Sequence, residues 1–167
     1  EADSVPTALK AAIRAVCETE GWEFGRYLPV DKQAGVLRFG EAWAVPSEAI
    51  ERYVEESRRM VYRPGVGIVG RVWQSGQPLW VSDISDDTRV ARSTLARETG
   101  MHGAFAFAVE SAGSTMGVLI FHSREVREPE ERLLQALGVI GSQIGQFISR
   151  KQAEEALRVS EERFRGL

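Results

Sequence analysis

The sequence predicts an α+β domain, an antiparallel β-sheet with helices on both faces and a long C-terminal helix. Three observations predict it. Two pairs of alternating apolar–polar runs are each joined by a short turn, the mark of antiparallel hairpins. Amphipathic segments of helical period lie between and around those pairs. From Pro129 onward about 38 residues read as helix without interruption, roughly 55 Å at 1.5 Å per residue.

The first helix shows Val5, Leu9, Ile13 and Val16 at spacings of four, four and three, with Cys17 at its apolar edge and Gly21 ending it. Residues 22–28 alternate large and polar side chains up to Pro29 and read as a strand. Residues 31–35 supply a turn, and residues 36–43 alternate again, so the two runs pair. Ser47 caps a second helix carrying Ile50, Tyr53, Val54 and Met60. The glycines and proline of 62–67 mark a loop, and a short helix runs from about Val66 to Gly76. Residues 77–81 form a short strand at a sheet edge, since Pro78 cannot donate to a ladder. A polar loop (82–87) and a helix from Arg89 to Glu98, closed by Gly100, follow. Residues 104–109 and 116–121 make the second hairpin, with Phe105, Phe107 and Val109 on one face and alanines on the other.

In the last helix Leu133, Leu137, Ile140, Ile144 and Phe147 step by four, three, four and three, the seam of a coiled-coil dimer. Beyond Arg150 the stripe resumes about one residue out of phase at Ala153, Leu157, Ser160 and Phe164. A phase break of this kind alters local winding. It reads either as a signalling joint or as a solvated helix separated from its next domain. The organisation is therefore a core over 1–128, its C-terminal helix over 129–150 and a connector over 151–167.

Composition narrows the function. The chain has 167 residues, 43% hydrophobic and 27% charged, with a net charge of -3, enough for one domain with a substantial core. No basic stripe offers itself to phosphates, which argues against nucleic acid. One cysteine permits no internal disulfide and suits a reducing compartment. With no leader-like start and no apolar run near 20 residues, a cytoplasmic location is expected.

The segments Arg63-Pro-Gly-Val-Gly-Ile-Val-Gly-Arg-Val-Trp73, Gly76-Gln-Pro-Leu-Trp-Val-Ser-Asp83, Gly103-Ala-Phe-Ala-Phe-Ala-Val109 and Met116-Gly-Val-Leu-Ile-Phe121, in this order, resemble the GAF domains of multi-domain bacterial sensor kinases. The resemblance covers nearly the whole chain. The stretch from Lys151 to Arg165 looks like a connector leading into a PAS domain or another output module. The fold implied is GAF-like and PAS-related. The function implied is sensory: a homodimer that binds a small molecule or partner and relays it through the terminal helix to an output domain in the same chain. A histidine kinase is the first candidate for that output and a diguanylate cyclase the second; the rival is a ligand-free dimerisation and spacer module.

Family ligands sit between the sheet and the helices after the second strand. On this chain the resemblance puts Trp73, Trp80, Asp83, Ile84, Arg92, Phe105 and Phe107 around that pocket. Core packing is the competing role for the aromatics, and a loop cap for Asp83. Which cofactor, if any, is bound stays open. Cys17 lies in the wrong element for a covalent bilin, and a lone cysteine falls short of the set that a free methionine sulfoxide reductase uses. The Asn-Lys…Phe…Asp-Glu signature of cyclic-nucleotide members is missing, since the sequence has no asparagine. Haem would need His102 or His122 as an axial ligand. No Ser-His-Asp order, zinc spacing or His-Glu-x-x-His pattern occurs, so the expected role is regulatory rather than enzymatic.

Overall fold

A computed structural model describes residues 4–90 and 93–166. Helix α1 (Val5–Glu20) starts at Ser4, whose hydroxyl accepts from the Thr7 amide, and stops at Gly21 in the left-handed region. Strand β1 (Phe24–Asp31) runs through Pro29, where the sequence had placed its end. Pro29 pairs with Gly117 on one side. On the other side the neighbouring run is broken at residues 39–41 into β2 (Val36–Arg38) and β3 (Ala42–Ala44). The missing proline N–H thus falls where no ladder bond is needed. The turn between β1 and β2 is closed by Asp31, whose carboxylate accepts from the Gln33 and Ala34 amides.

Helix α2 (Glu48–Arg58) is capped by Ser47 as expected. The loop expected after it contains a two-residue strand, β4 (Val61–Tyr62), paired with β2. Helix α3 (Gly67–Ser75) and edge strand β5 (Leu79–Val81) follow the prediction. Helix α4 (Ser93–Thr99) begins later than Arg89. Arg89 lies instead in a turn, held by Asp87 through its backbone and guanidinium. Strands β6 (Gly103–Ser111) and β7 (Ser114–Ser123) form the second hairpin. Its two turn residues, Ala112 and Gly113, both have positive φ, at 53° and 77°, as a tight primed hairpin turn requires.

The hairpins join through β1 and β7, which pair from Phe24–His122 to Pro29–Gly117. The result is one antiparallel sheet of order β4-β2-β1-β7-β6-β5, with β3 also on β1. Alternation sorts each strand onto two cores. On one face Phe24, Leu28, Ala104, Ala106, Val118 and Ile120 pack beneath α2, α3 and α4. On the other, Tyr27, Phe105, Phe107, Val109, Leu119 and Phe121 pack beneath α1 and the long helix α5 (Glu131–Arg165).

Helix α5 lies on β6 almost backbone to backbone. A methyl group at Gly145 would run into the Glu110 carbonyl, and one at Gly141 would stand 2.9 Å from the Ala108 carbonyl. These glycines, four apart, share the buried stripe with Leu133, Leu137 and Ile148. Residues 153–165 project beyond the body and are exposed, with Leu157 at 61% and Phe164 at 79%.

Candidate functional site

The face beneath α2 and α3 collects the polar groups that most need explaining. Strand β1 is central, so alternate side chains are buried on each side. Phe24, Arg26 and Leu28 share the parity that faces α2 and α3. Arg26 is only 2% exposed, and its Nε and Nη1 have no hydrogen-bond partner among the described residues. Its guanidinium carbon stands 5.6 Å from the Phe39 ring, 5.8 Å from Tyr62 and 6.0 Å from Phe24. Such contacts offset part of the cost of burying a cation, while an uncompensated buried charge costs several kcal/mol. His122, 1% exposed on β7, stacks on Phe24 at 5.4 Å and meets the edge of Tyr53 at 5.1 Å. With Tyr62, Ile68 and Val90, these groups surround a cavity of about 20 Å³, room for roughly one water molecule.

A second polar cluster lies at the end of the same layer. Asp83 Oδ1 accepts from the Ser85 amide at 3.0 Å and its hydroxyl at 2.6 Å, and lies 3.0 Å from His102 Nδ1. The Ser85 hydroxyl, then His102, hold the Asp83 carboxyl below the usual range. The Ile84 amide donates to the His102 carbonyl at 2.6 Å. This network ties the 82–85 loop to the start of β6. In this arrangement Asp83 caps its own loop.

The predicted pocket residues do not converge. Ile84 is fully buried and Trp73 half-buried, both in the core under α2–α4. Phe105, Phe107 and Trp80 belong to the opposite core, under α1 and α5. Arg92 lies outside the described residues. Trp80 instead donates from Nε1 to the Arg127 carbonyl at 2.8 Å and packs on Trp22 and Phe105. Arg127 in turn covers the Trp22 ring at 4.0 Å and donates to the Glu20 and Gly21 carbonyls. Its guanidinium also meets Glu130 at 2.8 Å, so one residue clasps the end of α1 to the start of α5.

The predicted dimer stripe also divides. Leu133 and Leu137 are each 1% exposed, inside the chain's own core, and are not available as a seam. Ile140, Ile144 and Phe147 are half-buried and, with Ala8, Leu9 and Ala12, line an open apolar groove of about 260 Å³ between α5 and α1. The heptad steps fit both roles, because a helix lying on a sheet and a helix in a coiled coil repeat at almost the same period.

Sequence reasoning passed over Arg26 and Tyr62 as site residues, took Tyr53 only as part of a helix face, and weighed His122 only as a haem ligand. A signal for two of them existed: Arg26 shares the parity of Phe24 and Leu28, and His122 that of Val118 and Ile120. A charged or polar residue on the apolar parity of a central strand is a buried polar group.

The family model for the GAF domain matches residues 2–149. No curated protein matches the chain at comparable significance. Among solved structures, the GAF domain of a phosphoenolpyruvate-protein phosphotransferase from Coxiella burnetii superposes with a TM-score of 0.76 at 17% identity, covering 92% of this chain and 87% of that one. A domain assigned to a two-component sensor histidine kinase from Sinorhizobium meliloti 1021 gives 0.71 at 18% identity, covering 93% and 98%. The free methionine-R-sulfoxide reductase of Neisseria meningitidis, solved with its substrate, gives 0.72 at 17% identity, covering 90% and 82%. Likenesses at these identities carry the fold and nothing finer.

Proposed function

The chain belongs to the GAF domain family, generally regulatory modules of signalling proteins, and on that premise we propose that it is a sensory domain whose ligand enters the cavity at Arg26. The response passes through the sheet to α5 and on to an output domain, a histidine kinase first and a diguanylate cyclase second. One observation carries the reading: the cavity and the outgoing helix lie back to back on the same strands. Arg26 and Tyr27 are neighbours on β1, one lining the cavity and the other packed in the core under α1 and α5. A ligand that favours one packing of the sheet over another biases α5 by its differential affinity for the two, and by no more. We further propose a homodimer formed through the α1–α5 groove, with residues 151–167 as the connector.

The regulatory reading is preferred to a reductase because the chain's one thiol is unsuited to redox work. Cys17 lies on the buried face of α1, and burial followed by the nearby Glu18 charge pushes its pKa up to about 12, which leaves almost no thiolate at neutral pH. The smallness of the cavity favours the rival, a ligand-free dimerisation and spacer module.

Two measurements decide between them. Thermal-shift screening of small metabolites should give hits that Val90→Phe, which fills the cavity, abolishes. Hydrogen exchange should then change in α5 when such a hit is bound. Hits that bind Val90→Phe equally well, or that leave α5 exchange untouched, would leave only the spacer.

A further inference from the structure

Arg26 carries a charge that nothing described in its surroundings balances. Its strand neighbours are Ala42 on β3 and Ile120 on β7, and Phe24, Phe39 and Tyr62 surround it. None of these can accept a charge-assisted pair of hydrogen bonds. No ion pair to Arg26 occurs among the described residues, and two of its nitrogens reach no acceptor. The cavity that its side chain lines also exposes the ring-bearing side chains of Tyr53, Tyr62 and His122, an aromatic wall beside the Arg26 guanidinium.

We propose that Arg26 is an anion-recognition residue and that the ligand of this cavity presents a carboxylate to it. The inference rests on the sensory reading and narrows it. A carboxylate supplies two oxygens at the spacing of a guanidinium edge, Nε with Nη2 or Nη1 with Nη2; each edge includes one of the two nitrogens that reach no acceptor, and a bidentate pair is among the strongest polar contacts a protein makes. The cavity as it stands holds about one water, so a carboxylate enters by displacing the walls at Ile68 and Val90, and those apolar walls exclude a heavily hydrated anion. Without the anion the aromatic faces hold the cation in place; with it the charge is matched in a site shielded from water, where the pairing is strongest.

The test uses the whole chain and sodium formate as the probe, exchanged at constant ionic strength for the salt of a bulky sulfonate. Formate should raise the unfolding midpoint saturably, by about 5 to 10 °C once it exceeds its Kd roughly 100-fold. The Arg26 Nε–H resonance should shift along the same isotherm. Arg26→Met should remove the formate dependence and raise the midpoint measured without formate, because it removes an unmatched buried charge. Acetate should bind more weakly than formate if the cavity stays as small as it is. An Arg26 Nε–H resonance that does not move in the wild-type chain would overturn the assignment, whether or not Arg26→Met folds. So would a formate response that persists in Arg26→Met. Neutral hits that Val90→Phe abolishes, with no response to formate, would sink the carboxylate and keep the sensor. Formate binding that leaves α5 exchange unchanged would do the reverse.

Discussion

Two residues on the α1–α5 face set the alkaline behaviour of the domain. Burial, with Glu18 adding to it, raises Cys17 from 9.0 to about 12, and burial alone raises Tyr27 from 10.0 to about 12. Both groups are neutral when protonated, so each stabilises the fold fully below its unfolded pKa and loses that contribution as pH climbs through its folded one. The unfolding midpoint should therefore hold up to about pH 9 and fall steeply between 9 and 12. For Cys17 the difference corresponds to roughly 4 kcal/mol, and Cys17→Ala should flatten part of the slope. Midpoints collected at half-unit steps of pH would check this; a flat profile to pH 12 would contradict the burial. The same environment should leave the native thiol unreactive to a disulfide reagent at pH 8 until the chain unfolds. At this scale the sequence was only half legible. Parity tells which residues share a face of a strand, so Phe105 and Phe107 were correctly grouped, but not which layer covers that face. The grouping of Trp80, Phe105 and Phe107 with Asp83 and Ile84 failed for that reason. Arg26 was readable by the same parity and was passed over because an arginine beside alternating apolar residues looks like an ordinary solvent-facing position.

At the scale of the element, α5 holds two kinds of glycine that a sequence cannot tell apart. Gly145 faces the Glu110 carbonyl at a distance no methyl tolerates, whereas among the described residues nothing stands within 4 Å of a methyl at Gly138. Gly145→Ala should destabilise the domain by about 1–3 kcal/mol through overpacking, even though alanine favours the helix. Gly138→Ala should stabilise it by about 0.5–1 kcal/mol, since only the propensity gain remains. Urea unfolding of the two variants would separate them, and equal effects would show that α5 does not rest on β6 as described. Elements with a strong period of their own, such as α1, α2, β6, β7 and α5, were evident from pattern alone. Strand β4 was not, because two residues carry no period and exist as a strand only through their pairing with β2. The break between β2 and β3 and the run of β1 through Pro29 escaped for a related reason: each is intelligible only when the other is present.

For the whole molecule, the proposed dimer has a groove and a projecting helix to test. Ile140, Ile144 and Phe147 line the groove beside α1, and Leu157 and Phe164 stand in solvent on the projecting helix. A single charge at the groove, Ile144→Glu, should convert the proposed dimer to a monomer with its circular dichroism unchanged, as light scattering would show. Removing residues 153–167 should leave the midpoint of the monomeric fold within about 1 °C, since surface segments contribute little to a core, while weakening the dimer. A truncated chain that loses its cooperative transition would place the tail inside the folding unit. The contact of α5 with β6 has one more consequence. Because glycine backbone at 141 and 145 meets strand carbonyls there, with no long side chains between to cushion it, a displacement of β6 at that point is passed directly to the helix axis. The arm from Gly145 to Arg165 is about 30 Å long, so a tilt of about 5° at the fulcrum swings its tip by roughly 2.6 Å.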